Sequence, residues 1–213
     1  MDRSKRKSKG RESRDVFLIF TEGDIEEIYF KQYRTYKLKS QNKIAIHIYN
    51  PEHTDPLGIV RDALAHKSRL NRREQEMFKD IFCVFDLDRT ATDESIKKNF
   101  EEAKVLANKN NIKTVTSYPC FELWLLLHFE KFCKPDSCCK KVIDELKKHL
   151  NLYSKDREEF EKSGFFITYF DNIDEAIKSA KELESNKNNY GNEKKCPHTH
   201  TNIYKIIEKL GLS

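Results

Sequence analysis

The stretch VFLIFTEGDIEEIYF, residues 16–30, constrains the fold of this chain more than any other. It opens with apolar residues rich in aromatic and β-branched side chains, a pattern that predicts a buried strand. The chain then turns through Thr-Glu-Gly, and a helix is predicted to begin at Asp24, where Glu27 completes a capping-box pattern. Glu22 is thereby placed at the carboxyl end of a strand, where open α/β sheets bind their ligands.

A second apolar run, residues 81–85, ends in the acidic sequence Asp86-Leu87-Asp88. If the two strands are parallel neighbours, Glu22, Asp86 and Asp88 meet at one edge of the sheet. Carboxylates at such a short separation repel one another unless a divalent cation lies between them. Carboxylate oxygens suit Mg²⁺ or Mn²⁺, and such ions activate water and stabilise phosphoryl transfer. Taken singly, each acidic residue is also explained as a helix cap or a solvated loop residue.

Alternation of strands and helices predicts a mainly parallel sheet with right-handed crossovers. Helices are expected near residues 57–77 and 199–210, among others, and the sequence after residue 130 is mostly polar and helical. The predicted fold class is therefore α/β, a mainly parallel sheet flanked by helices, with a helical C-terminal extension. The predicted division is a basic tail (1–14), a core (15–130) and an extension packed on the core (131–213).

Positive charge is concentrated in two places. The tail lacks apolar periodicity, which is typical of disorder, and it either contacts a phosphate backbone or only aids solubility. The helix predicted at residues 57–77 carries Arg69, Arg72 and Arg73 near its end, which form either a nucleic-acid surface or a solvated face.

The cysteines and the hydropathy indicate the compartment. No apolar run of about 18–20 residues and no signal-type core is present, which predicts a cytoplasmic protein without membrane contact. The six cysteines show no disulfide framework, as expected for reduced thiols. A zinc site can be drawn from several of them, but no Cys-x-x-Cys knuckle supports it. That set is Cys133, Cys138, Cys139, Cys196, His198 and His200.

Residues 121–129, FELWLLLHF, are apolar on nearly every side and predict a buried helix. An isolated buried carboxylate is unfavourable, so Glu122 either caps the helix end or points into the acidic site. His128 is either a general acid or a core histidine whose nitrogens are hydrogen-bonded.

Together these motifs resemble the Toprim domain of topoisomerases, primases and OLD-type nucleases, and more specifically the RloB-like family of prokaryotic defence-associated proteins. Four motifs carry the resemblance, which extends over almost the whole chain after the tail. They are the Thr-Glu-Gly turn with Glu27, Tyr29 and Phe30 after it, Asp-x-Asp-Arg at 86–89, Phe-Glu-x-Trp-x-x-x-His-Phe at 121–129, and Pro-x-Thr at 197–199.

The resemblance implies a Toprim-like catalytic core in residues 15–130. In it Glu22 is a metal ligand or general acid/base, and Asp86 and Asp88 are ligands of Mg²⁺ or Mn²⁺. Glu122 is implied as a further ligand, which makes the implied catalytic set Glu22, Asp86, Asp88 and Glu122.

Two further positions refine this expectation. Arg89 either contacts phosphate or forms a salt bridge with a neighbouring carboxylate. The topoisomerase pattern has a third aspartate where this chain has Thr90, and no nucleophilic tyrosine can be assigned. Hydrolysis of a phosphodiester is therefore expected rather than strand passage.

The hypothesis that follows is a metal-dependent nuclease that acts on RNA, including tRNA, or on DNA in antiviral defence. The alternative is a non-catalytic module that binds a metal, a nucleotide or a partner protein. A third hypothesis is a nuclease that stays silent until a partner ATPase or a phage-derived activator releases it. No particular oligomeric state is predicted.

Overall fold

A computed structural model describes residues 15–38, 44–91, 93–132, 138–164, 166–189 and 199–211. The strands are β1 (Asp15–Thr21), β2 (Ile44–Tyr49), β3 (Phe78–Asp86), β4 (Lys113–Tyr118) and β5 (His200–Thr201). They form one sheet in the order β2-β1-β3-β4-β5. The first four are parallel, and β5 pairs antiparallel with β4. Helices flank the sheet, which confirms the predicted α/β fold class. The basic tail lies outside the described residues.

The helices connect the strands and cover both faces of the sheet. Their bounds are α1 (Asp24–Tyr36), α2 (Pro56–Arg69), α3 (Arg72–Met77), α4 (Glu94–Lys109), α5 (Glu122–Leu126), α6 (Cys139–His149), α7 (Arg157–Lys162), α8 (Phe166–Asp171), α9 (Ile173–Asn189) and α10 (Tyr204–Lys209). A short 3₁₀ helix at Asp88–Ala91 follows β3. Within the described ranges, no helix combines the length and the apolar character needed to cross a lipid bilayer.

Side chains of the central strands build one core on each face of the sheet. Phe17 of β1 and Phe82 of β3 pack with α1, α5 and the C-terminal helices. Leu18 and Cys83 point the other way, onto α2 and α4. Successive side chains of a strand alternate between the two faces, so a strand covered on both faces must be apolar throughout. This explains the uninterrupted apolar runs in β1 and β3.

The single helix predicted at residues 57–77 is wrong. The chain leaves the helical conformation at Leu70, which is extended, and a new helix begins after Asn71. The Asn71 side chain accepts a hydrogen bond from the N–H of Glu74, whose carboxylate accepts one from the N–H of Asn71. This reciprocal capping box satisfies the free amides of a helix start and therefore favours a new helix here.

Two other predicted helices are shorter than expected. The helix at residues 121–129 is reduced to the five residues of α5, although every residue from 121 to 128 is buried. The helix at residues 199–210 begins only at Tyr204, because the residues before it form β5, with Thr201 opposite Ser117. The C-terminal part of the chain therefore contributes a strand to the sheet as well as helices.

Asn202 extends the pairing of β4 and β5 through its side chain. Its Oδ1 accepts a hydrogen bond from the N–H of Thr116 at 2.6 Å, and its own N–H donates to the Thr116 carbonyl at 3.0 Å. Replacing Asn202 with alanine leaves the Thr116 amide unpaired, so we expect the free energy of unfolding to fall by about 1–3 kcal/mol. Urea unfolding followed by circular dichroism measures this change. Asn202→Asp keeps the acceptor and should lose less, and equal losses would contradict the role.

Candidate active site

The structure brings the carboxyl ends of β1 and β3 together. The two strands are parallel neighbours, with Thr21 opposite Val84. Glu22 Oε2 accepts a hydrogen bond from the backbone N–H of Asp86 at 3.0 Å. This contact holds the Glu22 carboxylate over the end of β3, next to the first aspartate of the acidic motif.

Asp86 lies at the centre of the site, where one oxygen of its side chain lacks a hydrogen bond among the described residues. Its Oδ1 is buried and has no hydrogen-bond partner among the residues that the structure describes. Burial raises the pKa of Asp86 well above its ordinary value, and the charges of Glu26 and Glu122 raise it further. Glu22 acts in the same direction. A buried carboxylate oxygen that faces like charges is unfavourable, and a cation would relieve it.

Glu26 is a member of this acidic cluster that the sequence prediction missed. It is buried in the first turn of α1, four residues after Glu22. Burial raises its pKa to about 8, with a smaller contribution from the Glu122 charge. Gly23 makes room for it, since a β-carbon at that position would lie 2.7 Å from Glu26 Oε2. Glu22 precedes α1, so helical spacing does not relate the two glutamates, and no local pattern in the sequence singles out Glu26.

Helix α1 begins at Asp24 as predicted, but the predicted capping box is wrong. The N-cap residue is Gly23, and no side chain caps the helix. Asp24 and Glu27 instead both bind Arg157 of α7. Its Nη1 lies 2.6 Å from Asp24 Oδ1 and 2.8 Å from Glu27 Oε2. A cation from a distant segment therefore neutralises the acidic residues that local pattern assigned to capping.

Glu122 lies buried at the start of α5 and is neutralised by Lys155. The Lys155 ammonium is 2.8 Å from Glu122 Oε1, and the hydroxyl of Tyr153 donates to the same oxygen at 2.8 Å. Burial disfavours the charged form of Glu122, but Lys155 and the hydrogen bonds outweigh it and lower its pKa. Glu122 is thus an ionised carboxylate with its own cation, placed close enough to raise the pKa of Asp86.

Two thiols adjoin Glu122. Cys120 Sγ, Cys139 Sγ and a Glu122 carboxylate oxygen lie within 4.8 Å of one another. Within the described ranges, no three carboxylates bring ligand atoms that close, and repulsion between like charges favours such separation. This thiol cluster differs from the zinc set drawn from the sequence. Three members of that set, Cys133, Cys196 and His198, lie outside the described residues.

A cleft of about 340 Å³ opens over Glu22 and Asp86. Its other walls are the starts of α2 and α4, with Thr54, Asp55, Pro56, Ser95, Ile96 and Asn99. Asn99 joins the two walls, because its Nδ2 donates to Asp55 Oδ1 at 2.7 Å and its Oδ1 accepts from the Leu57 N–H at 2.9 Å. The Gly58 amide donates to Asp55 Oδ1 as well, at 3.0 Å, so the first amides of α2 are occupied and the acidic floor is the part of the cleft suited to an ion.

Asp88 and Arg89 follow β3 in the 3₁₀ helix. Asp88 is partly buried, and its charge acts on the thiol of Cys139. It therefore lies near Cys139 in space and two residues after Asp86 in the chain. The side chain of Arg89 lies outside the described part of the structure, so its predicted phosphate contact stays a prediction.

The basic residues lie away from the acidic cluster. Helix α2 starts at the cleft and runs for 14 residues, about 21 Å, to end at Arg69. Arg72 and Arg73 open α3, which leads into the amino end of β3 at Phe78. Arg72 also pairs with Glu76 at 3.2 Å. The structure therefore does not bring Arg69, Arg72 or Arg73 to the carboxyl edge of the sheet.

His128 is held as a core residue. It is 2% exposed, and its Nδ1 lies 2.8 Å from the carbonyl of Trp124, to which it donates. Its Nε2 is 3.4 Å from the hydroxyl of Tyr29. Burial lowers the pKa of His128 to about 4, so the ring is neutral near pH 7. These contacts favour the core interpretation of His128 over a general acid.

The fold and site define an α/β protein with an acidic cluster at the carboxyl edge of a mainly parallel sheet. Comparison with protein families identifies the family: the chain belongs to the RloB-like proteins, whose family model matches residues 17–210. The resemblance drawn from the motifs is thereby confirmed at the level of the family. Among curated proteins, none matches this chain.

Proposed function

We propose that this protein is a metal-dependent nuclease with a Toprim-like core, which hydrolyses phosphodiester bonds of RNA or DNA in prokaryotic antiviral defence. The observation that carries the proposal is the buried Oδ1 of Asp86. It has no hydrogen-bond partner among the described residues and faces other carboxylates at a ligand-binding edge of the sheet. Membership of the RloB-like family supports the same proposal.

The residues at this edge fit Mg²⁺ or Mn²⁺. Glu22, Asp86 and Asp88 would hold the ion, and Glu26 adds a fourth carboxylate. All four offer the hard oxygen ligands that these ions prefer. A bound ion would polarise a phosphate oxygen and lower the pKa of water.

The chain's own residues position these groups. The N–H of Asp86 orients the Glu22 carboxylate at the floor of the cleft. Glu122 already has Lys155 as its cation, so we assign it a positioning role. It holds an ammonium group beside the acidic cluster, while the metal falls to the other four carboxylates.

Cleavage assays with Glu22→Gln test the proposal. The whole chain is incubated with total cellular RNA and with plasmid DNA, in Mg²⁺, Mn²⁺ or EDTA. Glutamine keeps an oxygen that can accept from the Asp86 N–H but removes the charge. We expect cleavage to fall at least about 100-fold, because even outer partners of metal ligands affect metal sites 10–100-fold. Nucleic-acid binding should survive, and Glu101→Gln on the exposed side of α4 should cleave normally.

The other outcomes separate the competing hypotheses. Cleavage that persists in EDTA or in Glu22→Gln would contradict the proposed site. If the wild type cuts neither polymer with either ion, the assay is repeated with extract from phage-infected cells. Cleavage that then appears, and still requires Glu22, indicates an enzyme released by a partner ATPase or phage-derived activator. Continued absence of cleavage favours the non-catalytic module.

A further inference from the structure

Cys120 and Cys139 come together from two segments that are separated in sequence. Both are free thiols, and their sulfurs lie within 4.8 Å of each other. A disulfide has an S–S distance of about 2.0 Å, so the sulfurs would need to approach by at most about 2.8 Å. A change of χ1 rotamer moves a cysteine sulfur by a comparable distance. The pair can therefore form a bond through side-chain rotation and small backbone adjustment.

The two thiols differ in their access to solvent. Cys120 is 1% exposed, whereas Cys139 is partly exposed at the start of α6. A dissolved oxidant therefore meets Cys139 first, and Cys120 can react only with a group already inside the cluster. This is the arrangement of a reactive thiol and a resolving thiol.

The groups around Cys139 act in both directions on its thiolate: the Cys120 thiol and Lys155 favour it, whereas the carboxylates of Glu122 and Asp88 oppose it. Lys155 Nζ lies 3.7 Å from Cys139 Sγ. Cys139 is also the first residue of the 11-residue helix α6, where the N-cap Cys138 makes no side-chain cap. An ammonium group and the positive end of a helix both stabilise a thiolate. Cys138 is the more exposed of the adjacent pair, yet the thiol cluster contains Cys139.

The same ligand atoms suit a thiophilic metal less well. The Lys155 ammonium already lies 2.8 Å from Glu122 Oε1 and 3.7 Å from Cys139 Sγ. A divalent ion between the thiols and Glu122 would meet this positive charge at close range. The cluster therefore favours reaction between its two sulfurs over metal binding.

We propose that Cys139 is an oxidation-sensitive thiol that forms a disulfide with Cys120 when the protein meets a peroxide. The Cys139 thiolate attacks one peroxide oxygen, so an S–O bond forms, the O–O bond breaks, and the leaving hydroxide takes a proton to become water. The Cys120 sulfur then attacks the Cys139 sulfur. The S–S bond forms, the S–O bond breaks, and hydroxide leaves with the Cys120 proton as a second water. Two thiols lose two electrons in total, and the peroxide gains them.

The disulfide would join the start of α6 to the segment before α5. It would also remove the contact between Cys139 Sγ and Glu122 Oε2, which are 3.8 Å apart in the reduced protein. The proposal does not depend on the nuclease function, because its test reads the covalent bond directly.

The test is peptide mapping after hydrogen peroxide treatment of the whole chain in EDTA, with the protein then unfolded in denaturant and its free thiols blocked by an alkylating reagent. Trypsin places Cys120 in residues 114–131 and Cys139 in residues 132–140. The second peptide also contains Cys133 and Cys138, so single serine variants assign the bond. We expect a cross-link between these two peptides in the wild type, in Cys138→Ser and in Cys133→Ser. It should disappear in Cys139→Ser.

Two results would overturn the proposal. One is a cross-link that persists in Cys139→Ser or is lost in Cys138→Ser. The other is peroxide treatment that leaves Cys120 fully alkylated in the wild type. Circular dichroism confirms that Cys139→Ser is folded, which is expected because Cys139 is partly exposed. Reduction with dithiothreitol should restore both thiols.

Discussion

Asp86→Asn is expected to increase the free energy of unfolding when no divalent ion is present, and to abolish metal-dependent cleavage. Burial, then Glu26 and Glu122, raise the pKa of Asp86 above its ordinary 3.8. The folded protein therefore keeps a proton that the unfolded chain releases. The stability from this proton is fully present below about pH 3.8 and is lost as the pH rises through the folded pKa. Each proton held in this way changes the free energy of unfolding by about 1.4 kcal/mol per pH unit.

Asparagine does not titrate, so the Asp86→Asn variant lacks this contribution to the pH dependence of stability. At pH 7 in EDTA, urea unfolding should show Asp86→Asn to be at least about 1.4 kcal/mol more stable than the wild type, with a shallower decline toward higher pH. Mg²⁺ should stabilise only the wild type, by about 2.7 kcal/mol at a hundred times its dissociation constant. Asp144→Asn, on the exposed side of α6, is the matched control. A less stable Asp86→Asn, or equal stabilisation of both proteins by Mg²⁺, would contradict the assignment.

Lys155→Met should give the second large effect, a loss of stability through Glu122. The variant keeps most of the apolar part of the side chain but leaves the Glu122 carboxylate, whose side chain is only 3% exposed, without its cation. Breaking a fully buried ion pair costs about 3–5 kcal/mol. The Lys155 side chain is 53% exposed, so water replaces part of its interaction, and we expect a loss of about 2 kcal/mol.

The pH dependence distinguishes this effect from lost packing. In the wild type the lowered pKa of Glu122 contributes stability above its unfolded pKa, and this contribution is lost as the pH falls through the folded pKa. The deficit of Lys155→Met should therefore be small in acid and grow toward pH 7 in urea unfolding. Adding Glu122→Gln should recover part of it. A pH-independent deficit would mean that Lys155 acts by packing, and Lys131→Met at the exposed pair with Glu182 provides the comparison.

The part of the site formed by Glu22 and Asp86 was predictable because it depends on short-range rules. Each residue directly follows an apolar run, and parallel neighbouring strands end at the same edge of a sheet. Glu26 does not follow from these rules, because it lies inside α1 rather than at a strand end and its burial depends on tertiary packing. The sequence of Asn71 and Glu74, by contrast, contained the capping box that divides α2 from α3.

Other features had no local signal. Strand β5 has two residues and no periodicity, so only its pairing with β4 identifies it. Arg157 lies far along the chain from Asp24 and Glu27, and no pattern in either segment predicts that they meet. Local rules therefore assigned these acidic residues to a helix cap, which the structure replaces with an ion pair.

The sequence by itself determined the α/β class, the family and the acidic residues at the strand ends. These follow from periodicity and from residue types at fixed spacings, which local sterics and burial control. Only the tertiary structure decided which charges are neutralised, since it pairs Glu122 with Lys155 and leaves Asp86 Oδ1 without a described partner. It also placed Cys120 against Cys139. Such contacts depend on ångström-scale distances between segments far apart in sequence, because ion pairs, hydrogen bonds and disulfides form only between groups in direct contact.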